Sequence, residues 1–185
     1  MTKTIEIFAG PNGSGKTTFA EKAYAKKSDA VYFNPDKIAS GISVNGGQLS
    51  QFEAGRVLFE KVEICLLQNK SFAFETTMSG KTWISIIKKA KAQGYTIKIY
   101  FLFVQSKQLS LKRIGNRVKL GGHNISKETV DRRFEKTFSN FVKLYSDLAD
   151  SWFIIDNSKR GKLIASSEKM KKKILDRTIF KKFFE

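Results

Sequence analysis

Short apolar runs alternate along this chain with longer stretches of helical spacing. Five runs rich in Ile, Phe and Val, at 4–9, 30–33, 72–75, 96–104 and 152–155, read as strands. Between them lie helical segments. Residues 17–26 follow the first run directly. The segment 51–68 gathers Phe52, Val57, Leu58, Phe59, Val62, Cys65 and Leu66 largely on one side, and Ser50 with Glu53 forms a capping box at its start. The segment 83–92 stops before Gly94. Val130, Phe134, Phe138, Phe141, Tyr145 and Leu148 recur every three or four residues, so 127–148 is expected as one amphipathic helix. Strand alternating with helix predicts an α/β chain, a parallel sheet with helices on both faces.

Composition bounds this picture. With 185 residues and 41% hydrophobic content, one domain with a sizeable core is expected, and the disordered class is excluded. A single cysteine, Cys65, excludes an intramolecular disulfide and a cysteine-built zinc cluster; a single histidine, His123, excludes multi-histidine metal sites. No apolar run approaches the ~18 residues that span a bilayer, so a soluble cytoplasmic chain without membrane insertion is expected. The net charge of +17 draws anions: nucleotides, phosphosugars, nucleic acid, an acidic protein or an anionic lipid surface. Residues 159–185 hold ten Lys/Arg against three Asp/Glu. The expected organisation is a core over 1–158, then a basic helical segment over 159–185 that packs its aromatics on the sheet. A nucleic-acid or membrane-surface arm is the alternative.

The chemistry begins after the first strand. Gly10-Pro11-Asn12-Gly13-Ser14-Gly15-Lys16-Thr17, followed by Thr18, fits the phosphate-loop pattern G-x-x-x-x-G-K-[ST] between a strand and a helix. Glycines let the backbone wrap an anion with its N–H groups turned inward, and the helix start adds unpaired N–H groups and the positive end of its dipole. Lys16 brings a full charge to the terminal phosphates, and the Thr17 hydroxyl suits Mg²⁺. A nucleoside triphosphate site in a P-loop NTPase fold is the expectation.

Ligands in open parallel sheets lie at the carboxyl ends of the strands. After strand two come Asn34-Pro35-Asp36, whose carboxylate can act as general base on an acceptor hydroxyl or hold Mg²⁺ through water. The alternative makes Asp36 an N-cap for 37–40. After strand three, Glu75, Thr76 and Thr77 suit a polar acceptor better than an attacking water. Asn45-Gly46-Gly47-Gln48 resembles the ABC transporter signature but stands too close to Lys16 for that architecture, and reads as a turn. Arg113 and Arg117 share a helical face ahead of Gly121, Gly122 and His123. Arg133 sits at the edge of the apolar face, and Arg132 points the opposite way. Arginines supplied in cis stabilise a transferring phosphoryl group.

In this order these features resemble the zeta-toxin family of phosphate-loop kinases, over roughly residues 5–155. The resemblance rests on the phosphate loop, Asp36, Phe74-Glu75-Thr76, Gly94-Tyr95 and the Arg113/Arg117 segment. It departs at His123, where the family carries a second arginine. It implies Mg²⁺- and ATP-dependent phosphorylation of a sugar hydroxyl, in well-studied members that of UDP-N-acetylglucosamine, and an antitoxin protein as partner. By position, Lys16 would neutralise phosphates, Thr17 would ligate Mg²⁺ and Asp36 would be the base. Glu75 would lie near the acceptor, and Arg113 or Arg117 would stabilise transfer; Asn34, Thr76 and His123 are further candidates for acceptor contact, and Arg133 for transfer, from their own places in the sequence. A nucleic-acid-associated ATPase or a polynucleotide kinase using the basic surface is the rival reading.

Overall fold

The first strand, β1 (Thr4–Ala9), sits in the middle of the sheet, with β3 (Phe72–Thr76) and β4 (Thr96–Phe103) parallel on either side. The computed structural model describes residues 2–24, 31–41, 50–122, 124–168 and 171–185. Among these, β2 (Val31–Phe33) lies outside β3, and β5 (Ser151–Asp156) lies parallel outside β4. Two further strands, β6 (Lys162–Glu168) and β7 (Lys171–Ile174), continue the sheet antiparallel, giving the order β2-β3-β1-β4-β5-β6-β7. The chain leaves β1 toward β2 on one side and later returns to β4 on the other. The carboxyl end of β1 is therefore the switch point where such sheets open a crevice. Register holds Phe8 opposite Glu75 and Ala9 opposite Thr76, so the ends of β1 and β3 meet that crevice together.

Alternation along β1 divides the core. Ile5, Ile7 and Ala9 join the cluster packed by α3 (Gln51–Leu67), α4 (Thr82–Ala92), α6 (Lys127–Asn140) and α7 (Arg177–Phe184). Phe8 turns the other way, with Ala73, onto Ala20 and Phe19 of α1 (Lys16–Tyr24). A smaller cluster, Ile114, Ile125 and Val130, joins α5 (Lys107–Lys119) to α6. The short α2 (Pro35–Gly41) follows β2. The capping box at Ser50 and Glu53 forms as expected. No helix among the described residues is long and apolar enough to cross a membrane.

Two expectations need correction. Residues 159–185 are not one helical segment: Lys162–Glu168 and Lys171–Ile174 are strands, and only Arg177–Phe184 is helical. Gly161, at φ +73°, turns the chain back so that β6 pairs with β5 and buries Ile164 and Ala165. The exposed lysines of β7 then lie on a sheet edge, where charge discourages pairing with another chain. The apolar residues show no single helical stripe because they are divided between two strands and a helix. The aromatics of α7 do pack on the sheet: Phe184 lies edge-on to Phe101 and Phe103, with ring centroids 5.6 and 5.3 Å away. The expected helix 127–148 is also broken. It is α-helical to Asn140, widens to a π turn at Phe141–Tyr145 and tightens to a 3₁₀ turn at Ser146–Leu148. The widened turn keeps Phe141 and Tyr145 buried and brings the Tyr145 hydroxyl 2.7 Å from Gly80 O. Asn140 Nδ2 donates to Met78 O at 2.9 Å. Together they brace the loop after β3, where Met78 stands at φ +53°.

The packing of α7 is testable. Phe184→Ala is expected to destabilise the fold by about 3 kcal/mol in denaturant unfolding, whereas the exposed Lys173→Ser change stays within about 0.5 kcal/mol.

Candidate active site

The phosphate-loop sequence folds into a cradle between β1 and α1. Gly10 lies at φ +136°, and a Cβ there would stand 1.8 Å from Leu102 O, so only glycine brings the backbone this close to β4. Ser110 Oγ, on α5, donates to Asn12 O and pins the loop from outside. Ser14 Oγ and Asn12 Oδ1 are buried and have no hydrogen-bond partner among the described residues. Lys16 Nζ donates to Gly10 O and Pro11 O, each at 3.0 Å. Burial lowers the Lys16 pKa from its usual value; Glu75 and Asp36 act in the opposite direction. A glycine cradle, orphaned polar atoms and a buried ammonium fit a polyphosphate.

Beside the cradle, Glu75 ends β3 and is 4% exposed. Three donors hold its carboxylate: Thr17 Oγ1 at 3.0 Å, Asn34 Nδ2 at 2.9 Å, and the Tyr32 hydroxyl. Burial raises the Glu75 pKa, and the Lys16 charge offsets part of that shift. Burial and the bond to Glu75 push the Tyr32 phenol up. Asn34 Nδ2 also donates to Thr17 Oγ1 at 3.1 Å, while Asn34 Oδ1 accepts from the backbone N–H groups of Asp36 and Lys37. Asn34 is thus the N-cap of α2, which overturns the alternative that gave Asp36 that duty. All of Asn34's hydrogen-bonding capacity goes to protein groups.

Freed from capping, Asp36 points into the same cavity as Lys16, a space of about 730 Å³. Its Oδ2 lies 3.0 Å from Arg117 Nη1. Arg117 stands in the last turn of α5. Gly121 and Gly122 close that helix by donating to Val118 O and Arg117 O. A Cβ on Gly122 would meet Arg117 Cγ at 2.5 Å, so the bend gives the arginine stem its room. Arg133 is half-buried on the cavity wall, where burial pulls its guanidinium below the usual pKa; Arg132 is exposed. Arg113 also reaches the wall, but its Nη2 donates to Asn157 O at 2.9 Å and Ser158 O at 3.2 Å, tying it to the loop after β5. Thr18 and Thr76 line the cavity. His123 and residues 45–49 lie outside the described residues.

Sequence reasoning passed over Tyr32, Asn157 and Lys159, all close to this site. Asn157 follows β5 as Asn34 follows β2, and the rule about strand ends, applied once more, would have found it. A second cavity of about 400 Å³ adjoins the first through Gly15, Thr18 and Asn157. Its wall includes Phe19 and the stacked pair Tyr100 and Phe153, whose rings lie 5.3 Å apart.

Comparison with known proteins agrees with this geometry. The family model described as "Zeta toxin" matches residues 1–169. A protein of Haemophilus influenzae, described as an uncharacterized protein, is 30% identical over 134 residues, covering 72% of this chain and 94% of its own length. Among solved structures, the AvrRxo1-ORF1:AvrRxo1-ORF2 complex with sulphate ions matches with a TM-score of 0.78 at 18% identity. That match covers all of this chain and 64% of the other, so the chain spans just under two thirds of that relative. The PezAT toxin–antitoxin system of Streptococcus pneumoniae matches with a TM-score of 0.64 at 12% identity, over 100% of this chain and 79% of that one. A gluconokinase of Sinorhizobium meliloti 1021 matches with a TM-score of 0.51 at 13% identity, over 85% and 83% of the two chains. With a family match over nearly its whole length, joined to a phosphate cradle that faces Asp36 and its arginine, the chain belongs to the zeta toxin family.

Proposed function

We propose that this chain transfers the γ-phosphate of ATP to a hydroxyl of an anionic small molecule, a nucleotide sugar of the UDP-N-acetylglucosamine kind. One observation carries the reading: Lys16 at the phosphate cradle and the Asp36–Arg117 pair line one cavity. In that cavity Lys16, Arg113, Arg117, Arg133 and Lys159 outnumber Asp36 and Glu75. Such a wall suits two phosphorylated ligands and the charge that phosphoryl transfer gathers. ATP would lay its phosphates in the cradle and its base against the Tyr100–Phe153 side of the second cavity. Thr17 Oγ1 would ligate Mg²⁺, with Glu75 behind it. Bound there, the metal would supply neutralisation of phosphate charge.

The acceptor hydroxyl would face Asp36. Its O–H bond breaks toward an Asp36 oxygen as the new O–P bond forms and the bond to the β-phosphate breaks, leaving ADP. Arg117 holds Asp36 and, with Arg133, meets the charge on the moving group. The relatives described as AvrRxo1-ORF1:AvrRxo1-ORF2 and PezAT are complexes or toxin–antitoxin systems. By that likeness we propose an antitoxin partner for this chain, acting in the cytoplasm where ATP and nucleotide sugars occur.

The test is incubation with Mg-ATP and a panel of nucleotide sugars, nucleosides and oligonucleotides, read by product mass. A phosphorylated nucleotide sugar is expected; transfer to an oligonucleotide end alone would replace this acceptor with a nucleic acid. Asp36→Asn is expected to slow transfer about 10²–10⁴-fold while leaving ATP affinity within about twofold. Lys16→Ala is expected to weaken ATP binding itself. Chelation of divalent metal is expected to abolish transfer.

Glu75 gives a prediction for the pH dependence of stability and for activity. A carboxyl whose folded pKa stands above its unfolded value binds protons more readily in the folded chain. Its charge therefore costs stability as pH climbs from the unfolded value of 4.5 through the raised one. Glu75→Gln removes this titration, so its melting temperature is expected to fall less than the parent's as pH rises above 4.5, and it is expected to lose transfer activity. Thermal melts across pH, paired with the mass assay, check both halves.

A further inference from the structure

Asn157 stands directly after β5 and takes no part in the transfer outlined above. Its backbone N–H donates to Phe103 O at 2.8 Å, which fastens it to the end of β4. Its side-chain Nδ2 donates to Ser14 O at 2.8 Å, across 143 residues of sequence. The same nitrogen presses on the phosphate loop so closely that a Cβ on Gly15 would stand 2.4 Å from it. Its own carbonyl accepts from Arg113 at 2.9 Å.

The segment around it is braced independently of the cradle. Asp156 Oδ1 accepts from the Ser158 N–H at 2.9 Å and from Ser158 Oγ at 2.6 Å. Asp156 Oδ2 accepts from Gln105 Nε2 at 2.6 Å. Asn157 is therefore held in place before any ligand arrives.

A trans peptide carries its C=O and N–H on opposite sides. Holding the Ser14 carbonyl against Asn157 turns the Gly15 N–H away from Asn157. In a loop that binds an anion through inward N–H groups, the direction of each peptide plane sets affinity. We propose that Asn157 is a positioning residue for the phosphate cradle: its amide fixes the Ser14–Gly15 peptide plane, and through it the grip on the nucleotide's terminal phosphates. Gly15 is part of the same fit, because any side chain there would displace the amide. The proposal rests on the reading of the cradle as a nucleotide site.

The test is calorimetric titration of ATP and of pyrophosphate into the full chain and its variants, beside thermal melts and the transfer assay. Asn157→Ala is expected to weaken both ligands five- to tenfold. At saturating ATP, kcat should stay within twofold, because the carbonyl that holds Arg113 is main chain and survives the change. Asn157→Asp keeps the shape but sets a carboxylate against the Ser14 carbonyl, so a larger loss is expected. Gln105→Ala loosens the brace on Asn157 but leaves its amide in place, and is expected to cost less than about twofold in affinity. Wild-type affinity in both Asn157 variants would overturn the assignment. So would an equal loss in Gln105→Ala, since that outcome makes the effect general loosening. A parent chain that binds neither ligand would instead overturn the nucleotide reading, which keeps the two failures apart.

Discussion

A buried carboxylate in the electrostatic field of a half-buried ammonium organises this molecule. Glu75 and Lys16 both lose water where β1 and β3 end, and each shifts from its ordinary pKa for that reason. Isolated, either charge would be too costly to bury. The fold answers by converging donors on Glu75 from β2, from α1 and from the turn after β2. Those three bonds decide where β2 ends and how α2 begins, because the Asn34 that serves Glu75 also caps α2. Asp36, in the first turn of that helix, inherits its position from this arrangement. Architecture and chemistry are set by one local requirement, that a buried negative charge be fully bonded.

Opposite this acid corner, the arginines divide their work. Arg117 meets Asp36 across the cavity, while Arg113, one turn earlier on the same helix, anchors the loop after β5. A shared helical face therefore does not mean a shared role. The difference lies in what each guanidinium finds within reach: a carboxylate in one case, two main-chain carbonyls in the other. The bend at Gly121 and Gly122 serves the first, by leaving space along the Arg117 stem. The braced segment from Asp156 to Ser158 serves the second.

Much of this was legible in the chain because several signals are local. The strand–glycine–helix succession named the phosphate cradle, and an apolar period near 3.6 named α3 and α6. Position after a strand found Asp36 and Glu75. What escaped was set by tertiary pairing. Residues 162–168 and 171–174 carry lysines that favour no particular element, and they become strands because β5 offers an edge. The π turn at Phe141–Tyr145 is fixed by the fit of two buried rings and by Gly80 O, neither visible in spacing. Asn34 stands at a strand end, but its partners, Glu75 and Thr17, are remote in sequence. The resemblance to the zeta toxins pointed to the family, and the family match extends it through residue 169, into the segment first set apart as a tail.

The proposed transfer requires one cavity to hold a triphosphate and an alcohol together, with Asp36 between them. The most direct measurement is native mass spectrometry of the chain with a non-hydrolysable ATP analogue and UDP-N-acetylglucosamine, singly and combined. The account predicts a complex that carries one of each ligand at once, with both retained in Asp36→Asn. Mutually exclusive binding, in which either ligand drives out the other, would contradict it.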